Sequence, residues 1–256
     1  MTGPRILTLD LETFPAKVLT FGLGQQVVGL HQVLEPDRMA CFAAKWRGEA
    51  RVHFYSEFHH GWPEMVRQAH RFLDEADVVV TYNGDGFDIP WIKRSIREHN
   101  KLEGATPLLN YSPFFSADLY KITKKEKWIS RKLAHITEQL HLSGKMSGTN
   151  FQLWVDCMNG DPKAWNIMRR YNKQDVVTTE EAFEEYLPDF ESLPAPELWL
   201  ETKSERPLCP KLGCGSANVT RQGFKRTKTR RYPQYQCKDC GGWFRDTRSE
   251  GGAGTT

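Results

Sequence analysis

No stretch of this sequence approaches the roughly 20 consecutive apolar residues of a membrane-spanning helix, and the N-terminus lacks the apolar core of a secretion signal. A cytoplasmic chain in a reducing compartment, with no membrane partner, is therefore expected. Cysteine is scarce, at six residues in 256, and four of the six are paired near the C-terminus. Pairs at that spacing speak for a metal site rather than a disulfide framework. There is no internal repeat, and no compositional bias that would keep the main body of the chain disordered. Nor is there a large excess of charge, since the formal net value is +3. That near-balance conceals a split. Residues 207–248 hold ten Lys or Arg against two Asp, a net of +8 that leaves −5 for the remainder. An acidic body with a basic appendage implies separate tasks.

The length allows one sizeable domain and a small one. Alternation marks the first strand: Leu7, Leu9 and Leu11 share one face, and Ile6, Thr8, Asp10 and Glu12 the other. Further strand-like runs occupy residues 17–23, 39–46, 51–56, 77–82 and about 114–119. Helical spacing covers 61–76, the stretch from Pro90 to about Asn100, and 131–142. A long helix is expected from Asp161-Pro162, an N-cap followed by proline at the first helical position, to about Tyr186. Strands first, then strand–helix alternation, predict an α/β sheet covered by helices. Residues 188–206 are Pro- and Glu-rich and are expected to be a linker, in which Leu198–Leu200 form a stretch able to dock. A flexible chain of about twenty residues spans roughly 25 Å. Residues 249–256 are expected to be a solvated tail.

Asp10 and Glu12 pose the main question. Acidic residues are depleted in strands, and two like charges at a sheet's core are costly unless compensated. Two residues apart on a strand, their side chains leave one face about 7 Å apart. A divalent cation between them would cancel the repulsion; solvated acids on an edge strand are the plainer alternative. Two further segments bear on the choice. "YNGDGFDIP" supplies Asn83, Phe87 and Asp88 just after the strand at 77–82, and "YNKQD" supplies Tyr171 and Asp175 one turn apart on the long helix.

Taken in order, D-x-E at Asp10/Glu12, N-x₃-F-D at Asn83/Phe87/Asp88 and Y-x₃-D at Tyr171/Asp175 resemble the three motifs of DnaQ-like 3′–5′ exonucleases, the DEDD superfamily. The resemblance spans about residues 4–187, and the helix at 131–142 is similar to one that precedes the third motif in many members. One branch of the family has a histidine five residues before the last Asp, where this sequence has Arg170. Tyr171, four before, matches the DEDDy branch instead. The resemblance implies a ribonuclease H-like fold, a mixed sheet flanked by helices, over residues 1–187. It implies two Mg²⁺ or Mn²⁺ ions held by Asp10, Glu12, Asp88 and Asp175, consistent with the preference of those ions for oxygen ligands. Asp10, Glu12 and Asp175 would hold the first ion. Asp10 would bridge to the second, and Asp88 would act partly through water.

By the same resemblance, Tyr171 would orient the attacking water and share in deprotonating it. Glu12 and the backbone around Thr13 and Phe14 would hold the terminal nucleotide, Asn83 would contact the substrate, and Phe87 would either pack beside the nucleotide or belong to the core. The implied product is a nucleoside 5′-monophosphate cut from a free 3′ end. DNA is favoured over RNA, because stand-alone members with such appendages look like replication or repair nucleases, many of them phage-encoded and so active in a host cytoplasm. A replication or repair protein is a further partner this allows. A 3′–5′ exoribonuclease is the alternative. A non-catalytic nucleic-acid-binding adaptor on the same fold is disfavoured, since it has no need of four mutually repelling carboxylates.

The basic appendage, residues 207–248, carries C-x₄-C at Cys209/Cys214 and C-x₂-C at Cys237/Cys240, each pair followed by glycine. This is a Cys₄ zinc-ribbon pattern. A module of about forty residues has too little core to stand alone, so one structural Zn²⁺ is expected. Between the pairs, Arg221, Lys225, Arg226, Lys228, Arg230 and Arg231 alternate with Phe224, Tyr232 and Tyr235; Trp243 and Phe244 follow. Cations interleaved with aromatics suit phosphate contacts and base stacking. Cys41 and Cys157 are expected as buried thiols, His59 and His60 as surface residues, and Asp118 at a strand end beside the cleft.

Overall fold

The computed structural model describes residues 3–22, 24, 27–144, 149–190, 192–199 and 206–252. Leu23 of the predicted strand, residues 191 and 200–205 of the expected linker (Leu200 among them) and 253–256 of the expected tail lie outside the described residues. The chain divides into two units, Arg5–Glu184 and a second that begins at Glu185.

The strands of the first unit are β1 (Ile6–Phe14), β2 (Lys17–Val18), β3 (Val33–Glu35), β4 (Arg38–Trp46), β5 (Val52–Ser56), β6 (Val78–Thr81) and β7 (Phe115–Asp118). Its helices are α1 (Glu57–His60), α2 (Trp62–Asp74), α3 (Asp88–His99), α4 (Leu119–Thr123), α5 (Leu133–Gln139), α6 (Phe151–Met158) and α7 (Pro162–Tyr186). Five strands form one sheet in the order β5-β4-β1-β6-β7. β4 is antiparallel to both β1 and β5, whereas β6 is parallel to both β1 and β7. The result is the mixed sheet flanked by helices that the motif resemblance implies.

The alternation of β1 decides what covers each face. Leu7, Leu9 and Leu11 are buried with Phe42 and Trp46 of β4, Met65 and Phe72 of α2, and Ile92 of α3. Each buried leucine contributes about 1.5–3 kcal/mol, enough together to hold a strand whose other face bears two carboxylates. On that other face, Phe14, Ala40 and Cys41 pack with Leu153 and Cys157 of α6 and with Trp165 and Met168 of α7. Trp165 meets Phe14 edge-on at 5.7 Å and stacks on Phe58 at 5.5 Å, while its Nε1 donates to the Cys157 carbonyl at 3.0 Å. The N-cap expected at Asp161 is present: its side chain accepts from the Lys163 N–H at 2.8 Å.

Three differences from expectation are local. Of the described part of the run at 17–23, Lys17 and Val18 form β2, which among the described residues pairs only with β3, while Leu19 and Phe21 are exposed. α6 is too short for its periodicity to stand out in the sequence, and Asn150 starts it by accepting from the Gln152 N–H at 3.0 Å. His59 and His60 are exposed, as expected, but belong to the single turn of α1, which the sequence does not announce. Cys41 and Cys157 are buried, as expected. Among the described residues, no helix is long and apolar enough to cross a membrane.

The second unit contains β8 (Val219–Arg226), β9 (Arg230–Cys237), β10 (Trp243–Arg245) and β11 (Gly251–Gly252), with β9 antiparallel to the other three. The described part of the expected linker is structured. Residues 187–189 and 196–199 form 3₁₀ turns, Phe190 and Leu193 are buried, and Lys211 Nζ donates to the Pro188 carbonyl at 2.7 Å.

Candidate active site and metal centres

The parallel ladder between β1 and β6 ends at the pair Thr8–Val80, and β1 runs on without that neighbour. There the Leu11 N–H donates to Asp88 Oδ1 at 3.0 Å. A carboxylate at the start of α3 thus takes the place of the missing strand. On the other side, β4 sets Ala43 opposite Asp10 and Cys41 opposite Glu12, so neither acid faces a cross-strand cation.

α7 lies over this face of β1 and brings in Asp175. Ligand oxygens of Asp10, Glu12 and Asp175 all lie within 4.8 Å of one another. Two unit charges at that distance repel by about 3–4 kcal/mol at an effective dielectric constant of 20. Asp175 is also 2% exposed. The donors are carboxylate oxygens throughout, which is the ligand chemistry of Mg²⁺ and Mn²⁺. The triad therefore fits a hard divalent cation.

Asn172 holds the triad in shape. Its buried amide donates to Asp10 Oδ2 at 2.7 Å and to the Asp10 carbonyl at 3.2 Å. Sequence reasoning alone does not single it out, although its position inside "YNKQD" is the available signal.

Asp88 lies outside the triad. It is 3% exposed, and burial raises its pKa, opposed by the N–H groups of Leu11 and Asp88 and reinforced by Asp118. The expected four-acid pocket is thus three clustered carboxylates plus a fourth acid braced against the β1 backbone. Burial, followed by the charges of Asp175, Glu12 and Asp10, also pushes the Tyr171 phenol far above its usual value, and the phenol shares a hydrogen bond with Asp175. It meets that carboxylate as a hydrogen-bond donor.

The turn after β6 is shaped by close approach. A Cβ on Gly84 would lie 2.4 Å from the Thr81 side chain, and Asn83 has a positive φ of 67°. Asp118 secures this turn: its carboxylate accepts from the N–H groups of Asn83 at 2.7 Å, Asp85 at 3.3 Å and Tyr120 at 3.0 Å. It is buried and structural, not a residue lining a cleft. Next to the triad, Asp10, Tyr82, Asn83, Tyr120, Lys132 and Leu133 border a cavity of about 510 Å³. Phe87 is 40% exposed and meets Trp91 edge-on at 6.3 Å. Thr13 follows a register shift in the β1–β4 ladder. The Phe14 ring is fully buried in the core, so of this residue only the backbone is left to meet a nucleotide.

In the second unit, Gly215 and Gly241 take positive φ values of 56° and 69° just after the cysteine pairs. These left-handed turns fold each pair into a knuckle. Asp239 ties the knuckles together, accepting from Ser216 Oγ and, at 2.7 Å, from Asn218 Nδ2. The Sγ atoms of Cys209 and Cys240 are 3.6 Å apart, and those of Cys214 and Cys237 are 3.7 Å apart. Four sulfurs held tetrahedrally at about 2.3 Å from zinc would be separated by about 3.8 Å. The cluster fits a zinc ribbon.

The aromatics of this unit are largely covered. Arg221 and Arg231 lie over Phe224 at 5.1 and 4.7 Å, Arg245 lies over Tyr232 at 4.0 Å, and Tyr235 stacks on Phe244 at 5.5 Å. Trp243 is 54% exposed, and with Phe190, Phe244, Lys225 and Arg245 it borders a cavity of about 690 Å³.

The model of a family described as the RNase_H superfamily matches residues 31–186. The match contains Asp88, Tyr171 and Asp175 and begins after Asp10 and Glu12. No curated protein matches the sequence.

Proposed function

The chain belongs to the RNase H superfamily, and from that premise we propose that residues 5–184 form a metal-dependent 3′–5′ exonuclease of the DEDDy type, with DNA favoured over RNA. The observation that carries this reading is the meeting of Asp10 and Glu12 with Asp175, from opposite ends of the unit, on one face of β1. In the proposed mechanism, Asp10, Glu12 and Asp175 hold Mg²⁺ or Mn²⁺, with Asp88 completing the set as the resemblance implies. The bound ions would neutralise the scissile phosphate, ease deprotonation of the attacking water and stabilise the leaving oxygen.

The remaining work falls to the chain itself. Asn172 keeps the Asp10 carboxylate in one orientation, and Tyr171, hydrogen-bonded to Asp175, orients the attacking water. The terminal nucleotide enters the cavity beside Asn83, Tyr82 and Tyr120, with Phe87 and the Thr13–Phe14 backbone at its border. Residues 207–248 act as a zinc ribbon that grips nucleic acid through its cations and Trp243.

The test is digestion of single-stranded DNA and RNA, each labelled at the 5′ or the 3′ end, with Mg²⁺, Mn²⁺ or EDTA. The expected result is immediate release of a 3′-labelled mononucleotide, stepwise shortening of the 5′-labelled strand, faster turnover of DNA, and none in EDTA. Internal fragments, or digestion that persists in EDTA, would overturn the reading. Faster turnover of RNA would make the protein an exoribonuclease, and no digestion of either would leave an adaptor.

A further inference from the structure

Among the described residues, β5 is an outer strand, paired with β4 alone. Along its open edge lies a cavity of about 280 Å³ whose polar lining includes Arg51, His53, His59, His60, Arg169 and Lys173. These residues come from β5 and the turn before it, from α1 and from α7. Cations on an open strand edge commonly guard against edge-to-edge pairing. Such guards need only project into solvent, whereas these converge on a concavity.

Their pairing is also unusual for the region. Lys45 on the neighbouring strand and Arg47 just after it each meet a carboxylate of α7, Glu180 and Glu184, and Arg38 meets Glu57. Among the described residues, Arg51, Arg169 and Lys173 have no carboxylate within ion-pair distance. The histidines add donors. His60 Nδ1 accepts from the Ser56 N–H at 3.2 Å, which leaves the proton of its neutral ring on Nε2. His59 Nδ1 shares a hydrogen bond with Ser56 Oγ at 2.7 Å. Burial, then the charge of Arg51, holds His53 below the usual imidazole range; burial, then His60 and Arg169, does the same for His59.

A concave set of guanidinium, ammonium and imidazole donors is the complement of a phosphate oxyanion. α7 links this cavity to the acidic site. Arg169 and Lys173, two residues on either side of Tyr171, point to the far side of the helix from it. Arg169 is six residues from Asp175, about 9 Å along the axis. We propose that the cavity is a second anion site, which holds a backbone phosphate of the bound nucleic acid away from the point of cleavage. The proposal rests on the nucleic-acid reading of this chain but not on its catalysis.

The test follows the ring resonances of His53 and His59 in the full chain by NMR. One arm titrates a ten-nucleotide single-stranded DNA with phosphorothioate linkages, and the other titrates inorganic phosphate. The oligonucleotide is expected to shift both rings saturably, and phosphate only at far higher concentration. Arg51→Gln with Arg169→Gln should abolish the shift and weaken oligonucleotide binding about tenfold. It should also reduce the salt dependence of log K by about 0.7 for each phosphate that is no longer neutralised. Arg169→Lys should retain most of the binding. Both arginines are exposed, and an unchanged melting temperature would verify that the double variant folds. Rings unmoved by the oligonucleotide, or unchanged affinity in the double variant, would leave the cations as edge guards and overturn the proposal. Inorganic phosphate binding as tightly as the strand would make this a free-anion pocket and overturn it equally. Absence of nuclease activity with the ring shifts intact would remove the catalytic reading and spare this one.

Discussion

In the first unit the triad of Asp10, Glu12 and Asp175 stands on a core that includes Leu7, Leu9, Phe42 and Trp165, each at most 1% exposed. In the second unit, the buried apolar side chains described beyond residue 206 are Leu212, Pro233 and two of the cysteines, Cys209 and Cys237. Both units gather metal-type ligands. In the first, an apolar core holds mutually repelling acids in place, so folding creates the site. In the second, the part beyond residue 206 has little apolar surface to bury, so there the ligated cluster has to stand in for a core. One unit should survive the loss of its ions; the other should not.

The largest effect should come from stripping the thiol cluster. A strong zinc chelator, or Cys209→Ser with Cys240→Ser, is expected to erase the amide dispersion of β8, β9 and β10 while the melting of Arg5–Glu184 stays where it was. Structural zinc sites contribute about 10–16 kcal/mol. Retained dispersion would break the contrast. The next effect falls on catalysis alone. Asp175→Asn should lower Mg²⁺-dependent turnover by about 10³-fold or more, with a melting temperature unchanged or raised because one repelling charge is gone. A collapsed melting transition would mean that the acids support the fold after all.

Core damage should give the reverse pattern. Trp165→Ala is expected to cost about 3–5 kcal/mol in denaturant unfolding of the first unit, with the cysteine knuckles unaffected. The smallest effect belongs to Tyr171→Phe. Losing one donor is worth about tenfold in the single-turnover rate, with oligonucleotide affinity changed less. An unaltered rate would reduce Tyr171 to scaffolding.

The sequence makes local features legible where one residue decides the outcome. The alternation of β1, the Asp161-Pro162 start of α7 and the paired cysteines all survive in the structure, because strand period, helix capping and ligand spacing are short-range constraints. The acids Asp10, Glu12 and Asp175 are visible as candidates for a different reason, the resemblance of their ordered motifs to those of a known family. What stays hidden depends on partners distant in sequence. Asn172 matters because α7 crosses Asp10, and Asp118 because β7 ends beside the Asn83–Asp85 turn. The apolar run at 17–23 reads as a strand in isolation, whereas Leu19 and Phe21 lie exposed beyond the short β2. Prolines in residues 188–199 suggest a flexible linker, whereas the burial of Phe190 and Leu193 depends on packing that composition does not encode.

The central claim, that Asp10, Glu12 and Asp175 together hold a hard divalent cation, is tested most directly by an electron paramagnetic resonance titration of Mn²⁺ into the full-length chain and its Asp175→Asn variant. The account predicts saturable Mn²⁺ binding in the parent protein, displaced by excess Mg²⁺ and strongly weakened in the variant. Equal Mn²⁺ affinity in the two proteins would contradict it.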